Sequence, residues 1–184
     1  MMEKNRMGVL LFLASEVGFF SILILSYLYY QGGPSSGPNA ANSLDPATAG
    51  IYTACLLASS LTLWQSEKNV AGQNHGRMRM WLLVTLVLGI VFIVGQALEY
   101  LRLIRDQVTI NRNQFGSTFF TLTGFHGLHV IGGLIALAIL FGLATAGHFR
   151  GPHSRAVQAV SYYWHFVDVV WIVIFAVVYV WPRV

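Results

Sequence analysis

The sequence predicts an all-α polytopic membrane protein, a bundle of five transmembrane helices. Of its 184 residues, 55% are hydrophobic and only 10% are charged, and five apolar runs are each long enough to cross a bilayer. The mean hydropathy is +0.61. A soluble domain of this size needs far more polar surface to cover its core. We therefore expect the bilayer to be the solvent.

The five spans are the segments that reach the roughly 20 apolar residues needed to cross about 30 Å of hydrocarbon. They form one membrane domain, residues 1–184, and run over residues 7–30, 46–66, 81–104, 115–146 and 157–181. The first span has no obvious A-x-A cleavage site, so we expect a retained helix rather than a signal peptide. Asp45 before Pro46 is typical of a helix start, with the aspartate as N-cap.

The positions of Lys and Arg predict the orientation, because cytoplasmic loops carry an excess of both. An inner N-terminus puts seven basic residues inside and four outside. The inner group is Lys4, Arg6, Lys68, Arg77, Arg79, Arg150 and Arg155, and the outer group is Arg102, Arg105, Arg112 and Arg183. An inner N-terminus and an outer C-terminus are therefore favoured. Aromatic belts at the interfaces are expected from Tyr27, Tyr29, Tyr30, Trp81, Tyr179 and Trp181.

Composition excludes several other classes of function. The net charge is +4, but the basic residues lie between apolar runs rather than along one face, which argues against nucleic-acid binding. Cys55 is the only cysteine, so an internal disulfide, a CxxCH haem attachment and a two-cysteine copper site are excluded. We expect Cys55 to be a packed helix residue.

Six acidic and imidazole side chains fall inside the apolar spans: Glu16, Glu99, His126, His129, His165 and Asp168. A charged residue at the centre of a spanning helix costs about 2.5 to 3.5 kcal/mol. These side chains must therefore face protein, trapped water or one another. With a rise of about 1.5 Å per residue, we expect five of them near mid-bilayer and Glu99 nearer the outside.

Three spacings of i, i+3 place polar side chains on common helix faces. The pairs with this spacing are His126 with His129, His165 with Asp168, and Gln96 with Glu99. Glu99 and Arg102 have the same spacing, which predicts an ion pair between them. Small residues allow helices to approach closely in membranes, so glycines should bring these histidines within hydrogen-bonding reach of the first or fifth span. The glycines concerned are Gly124, Gly127, Gly132 and Gly133.

Residue chemistry alone leaves three interpretations of these groups open. Two histidines one turn apart, with Glu and Asp on other helices, imitate the ligand set of bundle metalloproteins. Intramembrane carboxylates and imidazoles also mark proton relays. Buried His and Asp more often satisfy each other by hydrogen bonds, as a network that fixes helix packing.

Four strings resemble the signature segments of subunit III of haem-copper cytochrome c oxidases. They are SEVGFF at residues 15–20, GQALEY at 95–100, GSTFFTLTGFHGLHVIGG at 116–133 and YYWHFVDVVW at 162–171. The resemblance covers four of the five spans in family order. The chain is similar to the short five-helix bacterial form, in which the first two helices of longer relatives are absent.

The resemblance implies a non-catalytic core subunit of an aerobic respiratory oxidase in the bacterial plasma membrane. It implies subunits I and II as partners, with haem and copper in those subunits and no cofactor in this chain, and cytochrome c or an equivalent electron donor to the complex. It further implies packing on subunit I, phospholipid binding, and support of proton uptake and turnover stability. Glu16 would be the characteristic buried carboxyl of the family, and Glu99, His126, His129, His165 and Asp168 would belong to its polar network, none of them catalytic.

The chain departs from longer relatives in two places. Absence of the first two helices removes half of their V-shaped lipid cleft, and Gln158 replaces a glutamate seven residues before His165. Three alternatives remain open: a subunit III-like protein of a nitric oxide reductase, its quinol oxidase counterpart, and an independent transporter. The paired broken helices or inverted repeats typical of transporters are not visible in the sequence.

Overall fold

A computed structural model describes residues 4–31, 40–72, 74–111, 114–148 and 155–183. The described chain is helical, in the order α1 (Lys4–Gln31), α2 (Ala40–Ser43), α3 (Pro46–Ala71), α4 (His75–Arg105), α5 (Gln114–Thr145) and α6 (Arg155–Phe175). A π-helical turn, Ala176–Val180, and a 3-10 turn, Trp181–Arg183, extend α6. All but α2 are long and apolar enough to cross a membrane. The predicted bundle of five spanning helices is confirmed.

The helices pack around a core that is rich in aromatic side chains. The most extensive interface joins α3 to α4, and α6 packs on α3, α5 and α1. Trp164 and Trp171 of α6 are fully buried, with Phe92 of α4 and Phe119 of α5. By contrast, α1 contacts mainly α5 and exposes most of its apolar side chains. α1 therefore lies at the edge of the described bundle and contributes few buried side chains, such as Phe20 and Tyr27, to the core.

Glycines set the closest helix contacts. A Cβ atom on Gly133 would lie 2.7 Å from the Trp164 ring, and one on Gly95 would lie 2.4 Å from the ring of Tyr52. The close approach that we predicted at Gly133 is therefore confirmed. A Cβ on Gly127 would have no neighbour within 4 Å, and those on Gly124 and Gly132 would make ordinary contacts with tyrosine hydroxyls, Tyr100 and Tyr163 respectively.

The largest departures from the predicted helix bounds are in α3 and α4. α3 continues beyond residue 66 to Ala71, and Lys68 lies over the Trp64 ring with its Nζ 3.3 Å from the centroid. A lysine stem can cover apolar surface while its charge stays near an aromatic face, so this charged turn remains helical. α4 begins at His75 rather than residue 81, because the Asn74 side chain accepts a hydrogen bond from the Arg77 amide.

The N-terminus of α3 follows the predicted pattern. Asp45 is extended, its carboxylate accepts a 3.0 Å hydrogen bond from the Ala47 amide, and Pro46 opens the helix. The short α2 was not predicted. The Arg183 guanidinium holds it by donating to the carbonyl oxygens of Ala41, at 3.0 Å, and Leu44, at 2.6 Å.

Part of the predicted aromatic belt is wrong, because two of its tyrosines face the protein interior. Tyr27 and Tyr179 are buried in the bundle, whereas Tyr29, Tyr30 and Trp181 are exposed as expected. Tyr179 lies in the π-helical turn. Such a turn adds a residue to the helical repeat and redirects the side chains that follow.

Candidate functional site

Glu16 and His129 form a polar contact between α1 and α5. The His129 Nε2 atom lies 3.0 Å from Glu16 Oε2, and each side chain keeps 18% of its surface exposed. The other ring nitrogen, Nδ1, lies 2.7 Å from the Phe125 carbonyl oxygen. The expectation that a histidine of α5 comes within hydrogen-bonding reach of the first span is confirmed for His129, although the four glycines do not contact that span.

These contacts fix how many protons the pair holds. A carbonyl oxygen only accepts, so His129 Nδ1 must carry a hydrogen. The contact at Nε2 then has two forms: a protonated Glu16 donates to a neutral imidazole, or an imidazolium donates to a carboxylate. Both forms have one proton between the two side chains and no net charge. The pair can therefore shift a proton across 3.0 Å without placing net charge in the bilayer.

Within the described residues His126 makes no hydrogen bond, although it lies one turn from His129. It is 1% exposed, and neither ring nitrogen has a partner among the residues that the structure describes. Its ring stacks on Trp171 with centroids 4.8 Å apart, and Phe92 and Phe20 approach it edge-on. The structure thus places His126 in an aromatic enclosure.

His165 and Asp168 meet a residue that the sequence did not single out. The Ser60 hydroxyl on α3 lies 2.7 Å from His165 Nδ1 and donates a short hydrogen bond to Asp168 Oδ2. Because Ser60 has one hydrogen and gives it to the carboxylate, His165 Nδ1 donates to Ser60. The hydrogen bonds therefore run in one direction: His165 on α6 donates to Ser60 on α3, and Ser60 donates to Asp168 on α6.

This arrangement differs from a nucleophilic triad. In such triads the carboxylate contacts the imidazole, which in turn contacts the serine. Here Asp168 contacts Ser60 directly, and its other oxygen, Oδ1, has no partner within the described part of the chain. The group can orient α6 on α3 or relay a proton, and the order of its contacts is not that of a nucleophilic triad.

Glu99 is bound by side chains of its own helix and of the α6 extension. Its Oε2 accepts a 3.2 Å hydrogen bond from Gln96 Nε2 and a 2.5 Å bond from the Tyr179 hydroxyl. The common helix face predicted for Gln96 and Glu99 is confirmed. The expected ion pair with Arg102 does not form, since that guanidinium lies 3.9 Å from the Asp106 carboxylate near the helix end. Tyr179, which is 80 residues away in the chain, is the partner of Glu99 in place of the predicted Arg102.

A cavity of about 230 Å³ lies beside Glu99, where the start of α3, the end of α4 and the end of α6 meet. Its walls carry four aromatic rings and three charged side chains. The rings are those of Tyr52, Phe92, Trp171 and Tyr179, and the charged groups are Asp45, Glu99 and Arg102. Hydrogen bonds from the Thr48 hydroxyl and the Ala47 amide lower the pKa of the Asp45 carboxyl, which keeps it ionised.

The six residues therefore fall into separate groups. Glu16 meets His129, His165 and Asp168 meet at Ser60, Glu99 meets Tyr179, and His126 lies among rings. In the described ranges, no three His, Cys, Asp or Glu side chains come close enough to share a metal ion.

Sequence reasoning missed Ser60, Tyr179 and Glu67. Ser60 is a small polar residue in a span, a signal that was present but weak. Glu67 is a partly buried carboxyl in the last turns of α3. It was overlooked because the predicted helix ended one residue before it.

Comparison with known proteins gives a match along nearly the whole chain. The family model for cytochrome c oxidase subunit III matches residues 1–183. A probable cytochrome c oxidase subunit 3 of Mycobacterium leprae is 38% identical over 172 residues, which are 94% of this chain and 85% of that protein. The cytochrome c oxidase subunit 3 of Synechocystis is 36% identical over 179 residues, 96% of this chain and 76% of that protein. The protein of that name from Pongo pygmaeus is 36% identical over 183 residues, 96% of this chain and 69% of that protein.

Proposed function

The chain belongs to the cytochrome c oxidase subunit III family, and we propose that it is the non-catalytic core subunit of an aerobic respiratory oxidase. In this role it packs on subunit I and supports proton uptake, lipid binding and turnover stability of a complex that reduces oxygen and pumps protons. The observation that carries the proposal is the match over residues 1–183. The three relatives described above are named as cytochrome c oxidase subunits, which favours this complex over a nitric oxide reductase or a quinol oxidase.

The contact of Glu16 with His129 supports the part of the proposal that concerns protons and turnover. Two of the segments that resemble the family, at residues 15–20 and 116–133, supply the two side chains. The pair holds one movable proton. Both side chains are partly exposed, so this proton can exchange with groups that contact this face of the bundle. We propose that it buffers protons beside subunit I and takes no part in oxygen chemistry.

The redox centres of the proposed complex lie in subunits I and II. Cytochrome c or an equivalent donor would deliver electrons to the complex, and phospholipids would surround or bind this subunit.

We propose the bacterial plasma membrane as the location, with the N-terminus inside and the C-terminus outside. The excess of basic residues on the inner side supports this orientation. It puts Lys68 and Arg77 inside, and Arg102 and Arg183 outside. Labelling of single cysteines introduced at positions 77 and 105, in a Cys55→Ala background, tests it in intact cells. A membrane-impermeant maleimide should label position 105 and spare position 77, and the reverse pattern would contradict it.

Affinity purification from native membranes tests the assignment to an oxidase. A tagged chain should bring down subunits I and II and a reduced-minus-oxidised spectrum of haem a type. A preparation without haem would contradict the proposal. Copurification with a nitric oxide reductase would assign the chain to the alternative complex.

A further inference from the structure

Asp168 is a buried carboxyl with one polar contact in the part of the chain that the structure describes. The side chain is 3% exposed; Oδ2 accepts a hydrogen bond from Ser60, and Oδ1 has no partner among the described residues. Neither of the two ion pairs found in those residues includes Asp168. The ionised form is therefore an unpaired charge inside a membrane-spanning helix, which is costly. Binding a proton to this carboxyl removes that cost.

The helices that pack on α6 supply other titratable side chains, and these make their contacts elsewhere. The helices concerned are α3, α5 and α1. Their groups are Glu67, which lies beside Ser161, His126, which stacks on Trp171, and Glu16 and His129, which contact each other. Lys68 of α3 lies over the Trp64 ring. Within the described ranges, Asp168 thus depends on Ser60 and on what Ser60 contacts.

Ser60 connects the buried carboxyl to a partly exposed imidazole. Its hydroxyl lies 2.7 Å from His165 Nδ1. His165 is partly exposed, and Val169, one turn further along α6, is 59% exposed on the surface of the bundle. Because Nδ1 faces Ser60, Nε2 is the ring nitrogen that can exchange a proton with groups that contact this surface. The three side chains therefore form a short path from the bundle surface to Asp168.

We propose that His165, Ser60 and Asp168 are a binding site for one proton, which enters at His165 and is held at Asp168. In the empty form His165 Nδ1 donates its hydrogen to Ser60, and Ser60 donates to the Asp168 carboxylate. When a proton binds to Nε2, the Nδ1 proton passes to Ser60 Oγ and the Ser60 proton passes to Asp168 Oδ2. The imidazole and the hydroxyl keep their numbers of hydrogens, and the carboxylate gains one and loses its negative charge.

The empty and filled forms have opposite hydrogen-bond directions. In the filled form Asp168 donates to Ser60, Ser60 donates to His165 Nδ1, and the imidazole hydrogen lies on Nε2. Release of the proton through Nε2 restores the first direction. Both contacts of Ser60 are kept in both forms, so the site fills and empties without a movement of α3 or α6. The inference rests on the proton part of the proposed function and adds a second store, at a different helix interface from Glu16 and His129.

Infrared difference spectroscopy of the purified complex tests the proposal. The complex that contains the tagged chain is placed in nanodiscs, and spectra are compared between about pH 5 and pH 9, an interval that covers the titration of histidine and of buried carboxyls. Subtracting the spectrum of the Asp168→Asn complex isolates the contribution of this site. The remaining spectrum should show the carbonyl band of a protonated carboxyl at acid pH, with a change of the imidazole bands from the Nδ1–H to the Nε2–H tautomer. Over this interval the wild type should also take up one proton more per complex than Asp168→Asn.

Variants of Ser60 test the path, and a second carboxyl provides the control. Ser60→Ala removes the hydroxyl, so protonation of Asp168 should no longer change the imidazole bands. Ser60→Thr keeps a hydroxyl and should restore that change. Glu67→Gln removes another partly buried carboxyl of α3 and should leave the bands of this site unchanged.

Three outcomes would overturn the proposal. The first is the absence of the acid carbonyl band from the spectrum that remains after subtraction, which is the result expected if Asp168 only fixes helix packing. The second is equal proton uptake by the wild type and Asp168→Asn. The third is a change of the imidazole bands that survives Ser60→Ala.

The same preparation separates this inference from the proposed function. Haem that copurifies without the bands of this site would refute the proton site and leave the oxidase assignment standing. The bands without haem would refute the oxidase assignment and leave the proton site standing.

Discussion

The Nε2 atom of His129 lies 3.0 Å from Glu16 Oε2, which joins two residues 113 positions apart in the chain. The partner of the other ring nitrogen is a carbonyl oxygen, so the pair holds one proton in either of its forms. This contact also links α1 to α5. It combines a packing role with the capacity to hold a proton.

Replacing Glu16 by glutamine separates those two roles. The amide can still donate to His129 Nε2, so we expect the complex to assemble and its stability to change by less than about 1 kcal/mol. The movable proton is lost, so the oxidase should inactivate after fewer turnovers. The measurement is the decay of oxygen consumption under continuous turnover, with Glu67→Gln as the control for loss of a carboxyl. Equal lifetimes for Glu16→Gln and the wild type would leave the pair with a packing role alone.

Replacing Asp168 by leucine should impair incorporation of the chain into its complex. The change leaves the partly buried Ser60 hydroxyl without its acceptor, at a cost of about 1 to 3 kcal/mol. Asp168→Asn keeps an acceptor oxygen of the same shape and should be milder. The fraction of tagged chain that copurifies with haem measures the effect, together with the thermal midpoint in detergent. Normal incorporation of the leucine variant would refute the structural role of this hydrogen bond.

A methyl group at Gly133 should separate α5 from α6. The new Cβ would lie 2.7 Å from the Trp164 ring, and overpacking of this kind typically costs about 1 to 3 kcal/mol. Gly127→Ala is a matched control on the same helix, because no heavy atom of another element in the described chain lies within 4 Å of its added Cβ. We expect a lower thermal midpoint for Gly133→Ala and an unchanged or slightly raised one for Gly127→Ala. Equal midpoints would show that α5 and α6 do not pack as described.

Asp45 should make the stability of the bundle depend on pH at the acid end. Hydrogen bonds from Thr48 and Ala47 hold its folded-state pKa below the ordinary value of 3.8. The contribution of the ionised Asp45 to the stability of the folded bundle is therefore complete above the unfolded-state pKa. It is lost as the pH falls through the folded-state pKa. Asp45→Asn keeps a capping oxygen and removes the titration. The difference in thermal midpoint between wild type and Asp45→Asn should shrink as the pH falls from 6 to about 3. A constant difference over this interval would contradict the capping role of the charge.

Local signals allowed much of the fold to be predicted from the sequence. The lengths of the apolar runs predicted five spanning helices, and the order of Asp45 and Pro46 predicted where α3 begins. The end of α3 was misplaced because a charged turn looks like a loop when the contact of Lys68 with the Trp64 ring is unknown. The short α2 depends on Arg183, which is 139 residues from Leu44 in the chain, and no local pattern reveals such a partner.

The candidate site was predictable only as a set of residues. The cost of burying charge identifies which side chains need partners, and i, i+3 spacing finds partners on the same helix, as for Gln96 and Glu99. Partners on other helices depend on rotation and register, which the sequence does not specify. Ser60 for Asp168 and Tyr179 for Glu99 were therefore found only in the structure.

Depletion of the chain from the purified oxidase, followed by adding it back, tests the proposed role most directly. The time course of oxygen consumption is recorded for the intact, depleted and restored complexes at equal haem content. We predict that the depleted complex begins turnover with activity but inactivates sooner than the intact one, and that the restored chain recovers the longer lifetime. Identical decay of the intact and depleted complexes would contradict a supporting role for this subunit.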